Sequence, residues 1–126
     1  MSTPVKLKQQ IVPALLVRDM KETLEFYEVL GFKLTGRFPD DQSPVWAQVN
    51  RDSIVIQFHT NPPGGTPTAP VLSGTLYMYP DSVTALADEL RGKVEFAWQP
   101  EVMSYGMREF GVQDPNGYYL AFTEPV

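Results

Sequence analysis

The sequence predicts an α+β domain in which one β-α-β-β-β unit is written twice, and three correspondences carry that reading. Asp19 and Asp81 each open a helical pattern and stand 62 residues apart. Val49 and Val112 end similar strands 63 residues apart, and Phe58 and Phe122 sit in similar apolar strands 64 residues apart. A near-constant offset of about half the 126-residue length marks a duplicated supersecondary unit. Two such units, neither able to bury its apolar face alone, pack together with curled sheets inside and helices outside. The junction between them is the expected place for a binding cleft.

The whole chain, 1–126, is read as one domain, with residues 5–59 as the first unit. Its opening apolar run, Ile11–Val17, is a strand; Pro13 has no N–H to donate, which assigns that strand to an edge or an irregular position. Asp19 is placed to cap a helix, with Glu22 three residues on to complete a capping box. Leu24, Phe26, Tyr27 and Leu30 recur at helical spacing, and Gly31 supplies the left-handed stop. Strands are predicted over Phe32–Phe38, Val45–Val49 and Ile54–His59, with Arg51-Asp52 turning between the last two.

Residues 60–70 hold four prolines and two glycines, a composition that continues neither helix nor strand, so they form the connector. Residues 71–126 then repeat the order. Val71–Tyr79 is a strand, Asp81 a cap, and Val83, Leu86, Ala87 and Leu90 an apolar helical stripe stopped at Gly92. Val94–Trp98, Met107–Val112 and Tyr118–Thr123 complete the unit. Asp114-Pro-Asn-Gly117 turns between the last two strands, and Gly117 accepts positive φ there.

Composition narrows the function classes. Apolar residues make up 43% and charged residues 20%, ordinary values for a globular domain. No run approaches the ~18 apolar residues that a membrane span requires. The first ten residues lack the pattern of a signal peptide, so the cytoplasm is the expected location. A net charge of −5 argues against nucleic acid and favours cationic ligands if the acids line the cleft; otherwise they serve solubility. With no cysteine and a single histidine, His59, neither a thiolate site nor a two-His or three-His metal site is available within one chain.

Several short motifs in this order are similar to the vicinal oxygen chelate superfamily, which includes glyoxalase I, extradiol dioxygenases and bleomycin-resistance proteins. They are Val17-Arg-Asp19, Phe26-Tyr27 and Leu30-Gly31-Phe32 in the first unit, then Gly106-Met-Arg-Glu109 and Asp114-Pro-Asn-Gly117 in the second. The resemblance implies that each unit's strands curl into a half-barrel and that the half-barrels enclose a ligand cup. It also implies metal-ligand positions at Val12, Gln57, Gly74 and Ala121. Valine, glycine and alanine have no side-chain donor, so the expectation is no metal and no cofactor, as in drug-sequestering bleomycin-resistance proteins. Members of that branch pair as homodimers and bind at the shared crevice, so a homodimer is implied.

Strand alternation assigns the cup lining, since successive side chains face opposite ways. Ile54, Ile56, Phe58, Leu120 and Phe122 are assigned to the core. Ala14, Leu16, Trp46, Gln48, Val55, Gln57, His59, Leu76, Met78, Glu109, Gln113, Tyr119, Ala121 and Thr123 are assigned to the cup, and Tyr105 to a lip formed by Gln99–Gly106. The candidate ligand contacts are Trp46, Gln48, Gln57, His59, Leu76, Met78, Tyr105, Glu109 and Tyr119, a mixture suited to a partly flat, partly polar organic molecule. Glu109 is placed to meet a cationic group. Plainer readings stand beside these: packing roles for Trp46 and Met78, a structural His59, an Arg108–Glu109 surface ion pair, and a Tyr105 that caps the barrel end. Three functions follow. The first is a binder of an organic ligand, such as an antibiotic. The second is a lyase, isomerase or dioxygenase with His59 or Glu109 as base and Tyr119 or Tyr105 as proton donor. The third is an interaction module. The connector allows the units to pair within one chain or between two.

Overall fold

In the computed structural model, residues 4–8, 10–40, 43–60 and 69–126 are described. Most of the connector, 61–68, therefore lies outside the described residues. The first unit comprises β1 (Ala14–Leu16), α1 (Met20–Val29), β2 (Lys33–Phe38), β3 (Trp46–Arg51) and β4 (Ile54–His59). The second comprises β5 (Thr75–Met78), α2 (Val83–Leu90), β6 (Phe96–Val102), β7 (Met107–Gln113) and β8 (Tyr119–Pro125). The strands form two four-stranded mixed sheets, ordered β1-β4-β3-β2 and β5-β8-β7-β6. Each first strand runs parallel to its unit's last strand, and the remaining pairs are antiparallel. The doubled β-α-β-β-β organisation and the α+β class are both present.

The local signals act largely where the sequence puts them. Asp19 has extended backbone and its Oδ1 accepts from the Glu22 N–H at 2.9 Å, capping α1. Gly31, with φ of +90°, ends that helix, and the Arg51 guanidinium donates to the freed Leu30 carbonyl at 2.7 Å. The second helix is capped one residue later than Asp81, by Ser82, whose Oγ accepts from Ala85 N–H at 3.1 Å. Ser82 wins because Val83 is the first helical residue, which leaves Asp81 one position too early. The Glu124 carboxylate, arriving from β8, accepts from the Val83 N–H at the same helix start.

β1 is three residues long and lies at the sheet edge, as Pro13 requires. The turn between β3 and β4 is Asp52-Ser53, since Arg51 pairs with Ile54; Asp52 takes the left-handed conformation, φ 50°. β6 runs four residues past Trp98. Its register slips on both sides of Trp98, which accommodates Pro100 in what is an edge strand.

One continuous core holds the two units together. Leu15, Tyr27, Val49, Ile56 and Phe58 of the first meet Met78, Val83, Phe110, Leu120 and Phe122 of the second. Truncating a fully buried ring such as Phe58 to alanine costs about 3–5 kcal/mol. Polar bonds pin the same junction. Tyr27 Oη donates to Asp114 Oδ2 at 2.8 Å, Asn116 Nδ2 to Thr23 Oγ1 at 3.0 Å, and Tyr118 Oη to the Leu16 carbonyl at 2.6 Å. Asp114 Oδ1 also accepts from the N–H groups of Asn116 and Tyr118, so the β7–β8 turn is tied to α1 and β1 by a buried carboxylate. Because both sheets turn one face to this shared core, each presents its other, concave face on the far side.

Candidate functional site

The concave face of the first sheet follows from the pairing of β3 with β4. Trp46 stands opposite His59, Gln48 opposite Gln57 and Asn50 opposite Val55; from β1, Ala14 and Leu16 join the same face. Between these positions Ala47, Val49, Ile56 and Phe58 point into the core. Trp46, Gln48, Gln57 and His59 therefore share one surface, as predicted. Trp46 Nε1 donates to Gln57 Oε1 (3.4 Å), and Gln57 Nε2 donates to Gln48 Oε1 (3.1 Å). Gln48 Nε2 donates to Thr35 Oγ1 (3.3 Å), and the Thr35 hydroxyl to Asn50 Oδ1 (2.6 Å). The indole lies over Gly36 beside a β-bulge in β2, where an added Cβ would sit 3.1 Å from the ring.

The second concave face has a different chemistry. Glu109 pairs with Thr123, Gly111 with Ala121 and Gln113 with Tyr119. Glu109 is only 2% exposed, and its Oε1 accepts from the Tyr105 hydroxyl at 2.7 Å. Tyr105, 57% exposed, sits in the β6–β7 turn that closes at Gly106 (φ +80°). Its hydroxyl is held above the usual tyrosine range, chiefly by that hydrogen bond. Thr123 Oγ1 and Trp98 Nε1 are buried with no hydrogen-bond partner among the described residues. The predicted Gln99–Gly106 lip shortens to the Met103–Gly106 turn, because β6 takes up the rest.

Three assignments change. Leu76 and Met78 lie on the core side: β5 pairs with β8 so that Leu76 meets Leu120 and Met78 meets Phe122, and Met78 is 7% exposed. Both faces of β5 carry large side chains, so alternation alone did not choose between them; its concave positions are Thr75 and the half-exposed Tyr77. Arg108 pairs with Glu124 on the core side of β7, away from Glu109, so the supposed Arg108–Glu109 ion pair does not form. Trp98 was missed. It lies across Gly111, where any Cβ would overlap the indole, and it approaches Tyr119 with ring centroids 6.0 Å apart. A glycine inside β7 was the available signal, since such a residue often marks close approach of another group.

Among the described residues no hydrogen bond or ring contact joins one concave face to the other; the bonds between units all lie on the core side or at its rim. The two halves of the expected cup are thus separate surfaces of one chain. Two hollows lie elsewhere. One of about 1220 Å³ runs between α1 and β2, lined by Met20, Leu24, Leu34 and Val49, and one of about 500 Å³ sits at the unit junction beside Arg51, Asp81 and Phe122.

Of the four positions that the resemblance aligns with metal ligands, only Gln57 carries a side-chain donor. Gln57 has its carboxamide engaged by Gln48 and Trp46, Ala121 is fully buried, and Val12 and Gly74 bring no donor. Among the described residues no three His, Cys, Asp or Glu side chains come together.

The fold has solved relatives. Coordinates of TioX from Micromonospora sp. ML1 superpose with a TM-score of 0.77 at 17% identity, covering 94% of this chain and 100% of that one. TnmS3, an antibiotic binding protein from Streptomyces sp. CB03234, gives 0.75 at 23% identity, covering 98% and 100%. A bleomycin-binding protein complexed with bleomycin gives 0.69 at 23%, covering 94% and 100%. At these identities the likeness shows the fold. No curated protein sequence matches. The sequence profile of one family matches residues 9–122, and the chain belongs to the Glyoxalase/Bleomycin resistance protein/Dioxygenase superfamily.

Proposed function

We propose that this chain binds a small organic molecule, of the antibiotic class that TnmS3 and the bleomycin-binding protein take, on its concave sheet faces. The observation that carries the reading is the placement of both tryptophans. Trp46 and Trp98, the two in the chain, each lie against a strand glycine on a concave face, beside polar side chains. Flat aromatic surface with a few fixed polar groups is the composition that organic ligands select. Each face supplies half a cup, so a second copy, placed with its second sheet opposite this chain's first, completes two cups in a homodimer. Sedimentation equilibrium checks the dimer, and a monomer at micromolar concentration contradicts it. Titration with bleomycin, followed by tryptophan fluorescence, checks binding. Saturable quenching is the expected result, and no change at ~100 μM, about −5.5 kcal/mol, removes bleomycin-type sequestration.

One observation favours a second reading as an enzyme. Tyr105 and Glu109, 2.7 Å apart, are within proton-transfer reach. Turnover of a methylglyoxal–glutathione adduct or a catechol, lost in Tyr105→Phe, would establish that reading in place of the first.

A further inference from the structure

The concave face of the second sheet carries a carboxyl group that pairs with no cation among the described residues. Glu109 is nearly inaccessible, yet among the described residues its carboxylate accepts one hydrogen bond, from the neutral Tyr105 hydroxyl, and no Lys or Arg ion pair includes it. A carboxylate offers about four acceptor positions. A buried one without a cation is costly to keep unless something outside the chain completes it. Directly across the strand pair, Thr123 Oγ1 is buried and unpartnered, a second oxygen aimed into the same surface. In the neighbouring row Tyr77 stands opposite Ala121, and the Trp98 ring covers Gly111, so aromatic surface flanks the two oxygens.

We propose that Glu109 and Thr123, flanked by Tyr77 and Trp98, form a subsite for the cationic nitrogen of an alkylammonium group on the ligand. An ammonium has three N–H donors and a full charge, matching the oxygens of two directly paired residues beside π-faces. Tyr105 holds the position until the ligand arrives. The residue is more than half exposed on a short glycine-closed turn, and when it swings away the ammonium replaces its bond to Glu109.

This inference rests on the second concave face being a ligand surface, and the probes are chosen to separate the two ideas. Benzylammonium and benzyl alcohol share a ring and differ in the charged nitrogen. Each is titrated into the intact protein to about 10 mM, with amide NMR shifts of Glu109, Gly111 and Thr123 as the readout. The expected result is binding of benzylammonium about tenfold or more tighter than benzyl alcohol. Glu109→Gln should bring the two probes to equal affinity, and Tyr105→Phe should leave the preference intact or enlarge it. Equal affinity in the wild-type protein overturns the ammonium subsite and leaves the organic-ligand reading standing. No shift with either probe overturns both. The wild-type comparison decides even if a variant fails to fold.

Discussion

The two concave faces come from the same β-α-β-β-β plan yet resolve their polar groups in opposite ways. On the first sheet Trp46, Gln57, Gln48, Thr35 and Asn50 form a chain of neutral hydrogen bonds that satisfies itself. On the second, Glu109 is buried with a single neutral donor, and Thr123 and Trp98 keep polar atoms unpaired. One face is therefore finished by its own chain, whereas the other stores a cost that a partner molecule can relieve. Proteins commonly carry such local deficits at binding sites and offset them elsewhere. Here the offset lies in the shared core and the Asp114 network.

The largest expected contrast concerns the two glycines beneath the tryptophans. Gly111→Ala forces the partly buried Trp98 indole to move and should destabilise the fold by about 2 kcal/mol or more. Gly36→Ala meets Trp46 at a tolerable distance and should cost less than about 1 kcal/mol. Urea denaturation of both variants measures the difference, and equal losses would break the asymmetry.

A second contrast appears at alkaline pH. Tyr105 on the second face and Tyr27 in the core are both held above the usual tyrosine range, the first mainly by its bond to Glu109 and the second mainly by burial. With the folded value raised, their contribution to stability is fully present below the unfolded value of about 10 and is lost as pH rises past it. Stability should therefore fall above about pH 10. In absorbance titration, Glu109→Leu should return Tyr105 toward ordinary ionisation, whereas Gln57→Ala on the first face should change no tyrosine. A late-titrating Tyr105 in Glu109→Leu would contradict the assigned cause.

The smallest contrast is one of sign. Gln57→Ala breaks two satisfied hydrogen bonds and should lower stability by about 1 kcal/mol. Thr123→Val replaces an unpaired hydroxyl by a methyl of similar shape and should leave stability unchanged or raise it by up to about 1 kcal/mol. Loss in both variants would mean that Thr123 has a partner in solution.

Local chemistry made much of the fold legible. Asp19, Gly31, Gly92 and Gly117 act through backbone geometry that depends only on near neighbours, and all four sit where their residue types dictate. The first face was readable because Gln48, Asn50, Gln57 and His59 alternate with the apolar Ala47, Val49, Ile56 and Phe58 along β3 and β4. β5 was not, since Leu76, Tyr77, Met78 and Tyr79 are large on both faces and only the pairing with β8 decides between them. The Trp98–Gly111 contact depends on a register slip in β6 and shows in the sequence only as a glycine within β7, while the Tyr27–Asp114 bond spans 87 residues and leaves no local trace. The Tyr105–Glu109 pair needed the β6–β7 turn to close, which shortened the predicted lip to four residues.

The most direct test of the central claim uses the indole N–H signals of Trp46 and Trp98, one on each face. Titration with bleomycin and a panel of aromatic antibiotics, followed by two-dimensional NMR, should move both signals saturably with at least one compound. If no compound at ~100 μM moves either signal, the concave faces are not ligand surfaces and the account fails.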